Sequence, residues 1–184
     1  ARDFVTLTKP RIISLLLVTT IAPMFVAGRP GWELVLVVFI GGYLMAGGAN
    51  AVNMYLDRDI DDRMSRTRLR PIPAGRMQPR EVLAFGLLLA TTATFLLARF
   101  ANVLTAALAL GGFYSYVFLY TRWLKRSTPQ NIVIGGAAGA FPPLVGWGAV
   151  TGSVVVVDVT VAETLRVLPL IARVAPSDAH VLIM

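Results

Sequence analysis

Long apolar runs separated by short charged clusters set the pattern of this chain. Uncharged stretches cover residues 12–28, 34–56, 82–98, 101–121 and 127–157. About 20 apolar residues suffice to cross a hydrocarbon core as a helix, so the pattern predicts five membrane helices. Pro23 in the first stretch and Pro142 and Pro143 in the fifth interrupt their runs, which membrane helices tolerate where neighbours satisfy the freed backbone groups. The first four stretches pair as two helical hairpins ahead of the fifth. After Gly152 the texture changes, because Asp158, Glu163, Arg166 and Arg173 break the tail before any uncharged run reaches spanning length. Residues 154–161 predict a short strand or surface segment, and residues 163–174 a short amphipathic helix interrupted by Pro169. The expected organisation is therefore a membrane domain over residues 1–152 and an atypical tail over residues 153–184.

Composition points the same way. With 56% hydrophobic residues and 15% charged ones in 184 positions, and a mean hydropathy of +0.70, the chain has more apolar surface than a soluble core of this size hides. An all-α, polytopic transmembrane bundle is the expected fold class. The net charge of +7 is sorted by side of the membrane and forms no single stripe, so nucleic acid is not an expected partner. Arg2, Lys9 and Arg11 precede the first helix, seven arginines lie between the second and third, and Arg122, Lys125 and Arg126 lie between the fourth and fifth. The opposite loops hold only Arg29 and Arg99, a ratio of thirteen to two that places the N-terminus and both polar connections in the cytoplasm. Residues 1–11 have neither the cleavage site of a signal peptide nor the character of an organellar presequence. A bacterial plasma membrane, crossed several times, is the simplest location. The absence of cysteine excludes disulfides, iron–sulfur clusters and a thiol nucleophile.

The chemistry concentrates in the two cytoplasmic connections. Residues 53–62, NMYLDRDIDD, set one amide and four carboxylates at the end of a run otherwise fit for lipid. Asn53, Asp57 and Asp61 stand at i, i+4 and i+8, each about 40° round from the last, so on a helix they share one face. Asn50 falls near the same face. Asp59 and Asp62 point elsewhere and suit a solvated helix end. Oxygen ligands on one face fit Mg²⁺, which takes a few carboxylates together with substrate phosphate oxygens. A diphosphate beside the bare carboxylates would be repelled by roughly 3 kcal/mol per unit charge pair at ~5 Å with an effective dielectric near 20. A divalent cation must bridge them, and it then assists departure of the diphosphate as a Lewis acid.

Arg66 and Arg70, in the long first connection, are spaced to bring two guanidinium forks to the same phosphates; each equally suits a positive-inside role. In the short second connection, TRWLKRSTPQN, Lys125 and Arg126 can form the opposing half of an anion clamp. Tyr120 can donate a hydrogen bond or set its ring beside a cation, and Asn131 stands where the fifth helix starts after Pro129. The alternative for this group is an interfacial tyrosine with topogenic basic residues. Gly41, Gly42, Gly47, Gly48, Gly135, Gly136 and Gly139 leave room for close helix packing. His180, the only histidine, lies in the tail and is assigned no ligand role.

These residues together resemble the UbiA superfamily of intramembrane prenyltransferases, whose first aspartate-rich motif, N-x-x-x-D-x-x-x-D, is matched by Asn53, Asp57 and Asp61. The segments LTKPRI, NMYLDRDIDDRMSRT followed by RP, and YTRWLKRSTPQNIVIGGAAGAFPPLVGW resemble the members that farnesylate heme, over about residues 3–152. The resemblance implies transfer of a farnesyl group from farnesyl diphosphate to a vinyl group of heme B, with addition of water, to give heme O. It implies Mg²⁺ held by Asn53, Asp57 and Asp61, with Lys125 and Arg126 supporting the leaving group. It also implies a setting among heme A synthesis and cytochrome oxidase assembly partners. The family carries more helices and a second aspartate-rich motif. Asp158, Glu163 and Asp178 in the tail do not form one, so the expectation is an incomplete UbiA-type bundle. Two alternatives remain at this stage: an aromatic or quinone-precursor acceptor, and an inactive membrane remnant.

Overall fold

The computed structural model describes residues 2–65, 67–124 and 137–153. The regular elements among them are all helical. They are α1 (Arg2–Thr8), α2 (Pro10–Ala27), α3 (Trp32–Leu56), the one-turn α4 (Arg58–Asp61), α5 (Pro79–Phe100), α6 (Val103–Tyr114), a π-helical continuation Ser115–Leu124, a 3₁₀ turn Ala137–Ala140 and α7 (Phe141–Thr151). Four stretches among the described residues are long and apolar enough to span a membrane: Pro10–Ala27, Trp32–Leu56, Pro79–Phe100 and Val103–Trp123.

The fifth expected span takes a different form in its described part. Residues 125–136 lie outside the described residues, and α7 is 11 residues long, too short to cross a core that needs about 20. Pro142 and Pro143 do not interrupt it. They fall in its first turn, where backbone N–H groups have no intrahelical acceptor to lose. The tail beyond residue 153, with its expected strand, amphipathic helix and His180, also lies outside the described residues.

Local chemistry sets where the helices begin. Gln78 N–H donates to Glu81 Oε2 at 3.1 Å, and Glu81 N–H to the Gln78 backbone carbonyl at 3.1 Å, around Pro79 at the start of α5, which satisfies free N–H groups at that end. Asn102 caps α6 by accepting from Thr105 N–H at 2.8 Å. Lys9, between α1 and α2, holds a left-handed backbone (φ 54°) just before Pro10.

Helices α3 and α5 cross closely, as does Gly146 of α7 against the Thr20 carbonyl of α2. A Cβ on Gly48 would stand 2.6 Å from the Gly86 carbonyl oxygen, so both backbones meet where neither residue has a side chain. Around this crossing Met45, Ala49 and Val52 pack with Ala90, Ala93 and Leu97 of α5, with Ala106, Ala109 and Phe113 of α6, and with Val145 of α7. Leu15, Val18, Leu88, Phe95 and Phe118 face outward, while Thr20, Asn50, Asn53, Asp57, Asp61, Thr105 and Thr121 are buried. Apolar side chains outside and polar ones inside is the arrangement a bilayer selects.

Antiparallel connection brings the start of α2, the end of α3, the start of α5 and the end of the π-helical segment to one end of the bundle. At the other end, Asn102 donates to the Gly148 carbonyl of α7 at 2.9 Å. Phe141, at the start of α7, covers Gly111 and Gly112 of α6. α7 therefore runs along the half of the bundle away from the acidic residues.

Candidate functional site

Asp57 ends α3 with φ −87° and ψ 0°, so the acidic segment is not one unbroken helix. Its register nevertheless survives the junction. Asp57 N–H donates to the Asn53 carbonyl at 2.9 Å and Asp61 N–H to the Asp57 carbonyl at 2.8 Å. Asn53, Asp57 and Asp61 therefore share one side, and they are buried to 5%, 1% and 2% exposure, whereas Asp59 and Asp62 are exposed.

Specific partners hold Asn53, Asp61 and Asn50. Asn53 Nδ2 donates to Asp57 Oδ2 at 3.1 Å and to Thr121 Oγ1 at 2.9 Å. Arg70 Nη1 donates to Asp61 Oδ2 at 2.6 Å, in an ion pair whose carboxylate side is almost fully buried. Thr67 Oγ1 donates to the Asp61 backbone carbonyl at 2.9 Å, so two residues of the long connection fold back over the helix end. Further out, Arg76 bonds the Leu69 carbonyl and Asp3 of α1, each at 3.1 Å. Asn50 braces the fold: its Nδ2 donates to the Thr8 carbonyl at 3.0 Å, where α1 ends.

Beneath the acidic cluster lies a cavity of about 270 Å³, lined by apolar residues including Ile13, Leu16, Met45, Ala109, Phe113 and Val145. Its size is near the lower end of small-ligand pockets, roughly 300–1,000 Å³. Asn50 and Tyr116 supply polar groups to its wall, and Gly139 lines it as well. A Cβ on Gly139 would meet nothing within 4 Å, so this glycine leaves space beside the cavity and makes no close helix contact. Tyr120 stacks on Tyr116 with ring centroids 5.9 Å apart and planes at 15°.

Of the residues singled out in the sequence, the structure brings Asn53, Asp57, Asp61 and Arg70 together and sets Asn50 at the cavity wall. Arg66, Lys125, Arg126 and Asn131 lie outside the described residues. Thr121, Thr67 and Tyr116 join the site without having been anticipated. Thr121 reaches Asn53 across 68 positions of sequence, and its approach depends on a π-helical turn that no motif announces.

The donor set decides which ion the site suits. Among the described residues no group of three histidine, cysteine, aspartate or glutamate side chains is placed to hold a metal. Two carboxylates and a carboxamide are what is present, and Mg²⁺ commonly takes one or two carboxylates and completes its shell with water and phosphate oxygens. The residues thus fit a magnesium–diphosphate complex better than a protein-only cage. Arg70, already on Asp61, can offer its remaining N–H groups to the same phosphates.

Residues 15–177 match the UbiA prenyltransferase family. The chain is 58% identical over 154 residues to the protein named protoheme IX farnesyltransferase of Roseiflexus castenholzii, covering 83% of this chain and 29% of that relative. It is 59% identical over 152 residues to the one of Thermosynechococcus vestitus, covering 82% and 48%. It is 58% identical over 153 residues to the one of Symbiobacterium thermophilum, covering 82% and 51%. The chain thus spans about half, or less, of the length of these relatives. No solved structure gives a significant match. A buried N-x-x-x-D-x-x-x-D cluster above an apolar cavity and a family match over most of the sequence lead to one assignment: this chain belongs to the UbiA prenyltransferase family.

Proposed function

We propose that this chain carries the diphosphate-binding half of a heme-farnesylating enzyme, transferring the farnesyl group of farnesyl diphosphate to a vinyl carbon of heme B. The observation that carries the reading is the burial of Asn53, Asp57 and Asp61 on one side of a helix end, one turn beyond Asn50, which lines an apolar cavity. A farnesyl diphosphate is a charged head on an apolar chain, and the site has that division. The names of the relatives supply the farnesyl donor and the protoheme acceptor.

In this reading the C1–O bond of farnesyl diphosphate breaks, and its electron pair leaves with the diphosphate. The vinyl π electrons of heme B attack the allylic cation, and water adds to the cation left beside the porphyrin ring and loses a proton. Mg²⁺ on Asn53, Asp57 and Asp61 would neutralise charge on the departing diphosphate. Arg70 holds Asp61 in place and presents guanidinium donors toward the phosphates. Lys125 and Arg126 complete the anion clamp, and Tyr120, backed by Tyr116, sets an aromatic face beside the cation. The apolar cavity holds the isoprenoid chain and keeps water from the allylic cation until transfer is complete. The enzyme works in a bacterial plasma membrane with the acidic end of the bundle toward the cytoplasm.

The test is incubation of the membrane-inserted protein, within its full-length family context, with heme B, farnesyl diphosphate and Mg²⁺, followed by mass spectrometry of the porphyrins. Heme O formation that requires all three supports the reading. Prenylation of an aromatic or quinone-precursor acceptor in place of heme B would replace it.

A further inference from the structure

The i+5 spacing of the π-helical segment Ser115–Leu124 turns Thr121 back over Tyr116. The Thr121 hydroxyl donates to the Tyr116 carbonyl at 2.8 Å, and in an α-helical turn residue 120 would occupy that place. A peptide carbonyl only accepts, so the direction of this bond is fixed. The Thr121 proton is committed, and its lone pair accepts from Asn53 Nδ2 at 2.9 Å. The other Nδ2 hydrogen goes to Asp57 Oδ2 at 3.1 Å. Both donors of the carboxamide are therefore used. A flipped amide would press Oδ1 against a carboxylate oxygen and a hydroxyl with no proton to give, inside a site where Thr121 is 0% and Asn53 5% exposed.

We infer that Thr121 is a positioning residue of the diphosphate site: the chain Tyr116 carbonyl, Thr121 hydroxyl, Asn53 amide locks the Asn53 side chain so that Oδ1 is the atom offered to a divalent cation. The inference rests on the diphosphate reading above and assigns a task to the π-helical turn, which sets Thr121 at the height of Asn53. Thr121 touches neither phosphate nor farnesyl chain in this scheme. It acts only through Asn53.

The test uses the full chain in lipid nanodiscs and measures binding of tritiated farnesyl diphosphate against Mg²⁺ concentration for the wild type, Thr121→Ser, Thr121→Val, Asn53→Ala and the double variant. Thr121→Val should raise the half-saturating Mg²⁺ at least tenfold, and Thr121→Ser, which keeps the hydroxyl, should stay within twofold of wild type. On the Asn53→Ala background Thr121→Val should add no more than twofold. The inference is overturned if Thr121→Val matches wild type, if Thr121→Ser is as impaired as Thr121→Val, or if Thr121→Val has its full effect without the Asn53 amide. Wild-type protein that binds farnesyl diphosphate with no Mg²⁺ dependence overturns the diphosphate reading itself, a result that no Thr121 variant can mimic. Should Thr121→Val fail to insert, infrared spectra of wild type carrying ¹³C-labelled asparagine decide the matter. The side-chain carbonyl band that disappears in Asn53→Ala should shift when Mg²⁺ and farnesyl diphosphate are added together, and an unmoved band overturns the inference.

Discussion

Replacing Asp57 by asparagine keeps the side-chain volume and removes one buried charge, and the proposed diphosphate reading gives the effect opposite signs with and without Mg²⁺. Asp57 is 1% exposed and accepts from Asn53, so little solvent screens it. One unit-charge pair at ~5 Å with an effective dielectric near 20 is worth roughly 3 kcal/mol. With Mg²⁺ bridging, loss of the carboxylate removes at least that much attraction, and farnesyl diphosphate binding should weaken by about 10²-fold. Without divalent cation the same carboxylate only repels the diphosphate, so Asp57→Asn should bind farnesyl diphosphate more tightly than wild type in chelator.

Asp59 is exposed and sits in high dielectric; at ~10 Å in water its charge contributes about 0.4 kcal/mol, so Asp59→Asn should change binding by about twofold at most. Equilibrium binding of labelled farnesyl diphosphate to the nanodisc-inserted protein, with Mg²⁺ and then with chelator, reads all four values. Equal losses for Asp57→Asn and Asp59→Asn in Mg²⁺, or no reversal of sign for Asp57→Asn in chelator, would refute the buried-face argument.

Two further outcomes follow from the fold. Because the chain lacks cysteine, single cysteines at Ser65 and Ser153 report sidedness cleanly: Ser65 follows the acidic helix end and should label from the cytoplasm, whereas Ser153 follows the end of α7 that meets the α5–α6 turn and should label from the opposite side. Labelling of both from one side would contradict this topology. At the α3–α5 crossing, Gly48→Ala sets a methyl 2.6 Å from the Gly86 carbonyl, which has no side-chain freedom to yield, so thermal unfolding in detergent should show a loss of about 1–3 kcal/mol, and an unchanged midpoint would contradict the close crossing.

How far the sequence reaches depends on whether a feature is local. The four described spans and the shared side of Asn53, Asp57 and Asp61 follow from hydropathy and from a spacing of four, both of which depend only on neighbours along one helix. The burial of Asp61 was legible as far as its phase, yet its pairing with Arg70 required the connection after α4 to turn back through Thr67, which charge patterning alone does not dictate. Asn50 illustrates the same limit, since its place near the acidic face was plain while its bond to the Thr8 carbonyl depends on how α1 meets α3. The prolines show local rules used in the wrong context: Pro142 and Pro143 look like interruptions in a long apolar run, but begin a shorter helix, where proline is well tolerated. Thr121 was out of reach altogether. An apolar segment with alternating aromatic residues carries no mark of a π-helical turn, and the i+5 bond to Tyr116 that points Thr121 at Asn53 exists only once that turn has formed. The acidic motif therefore names the groups proposed to bind, while Thr121, which orients one of them, comes from a segment whose backbone geometry is set by packing.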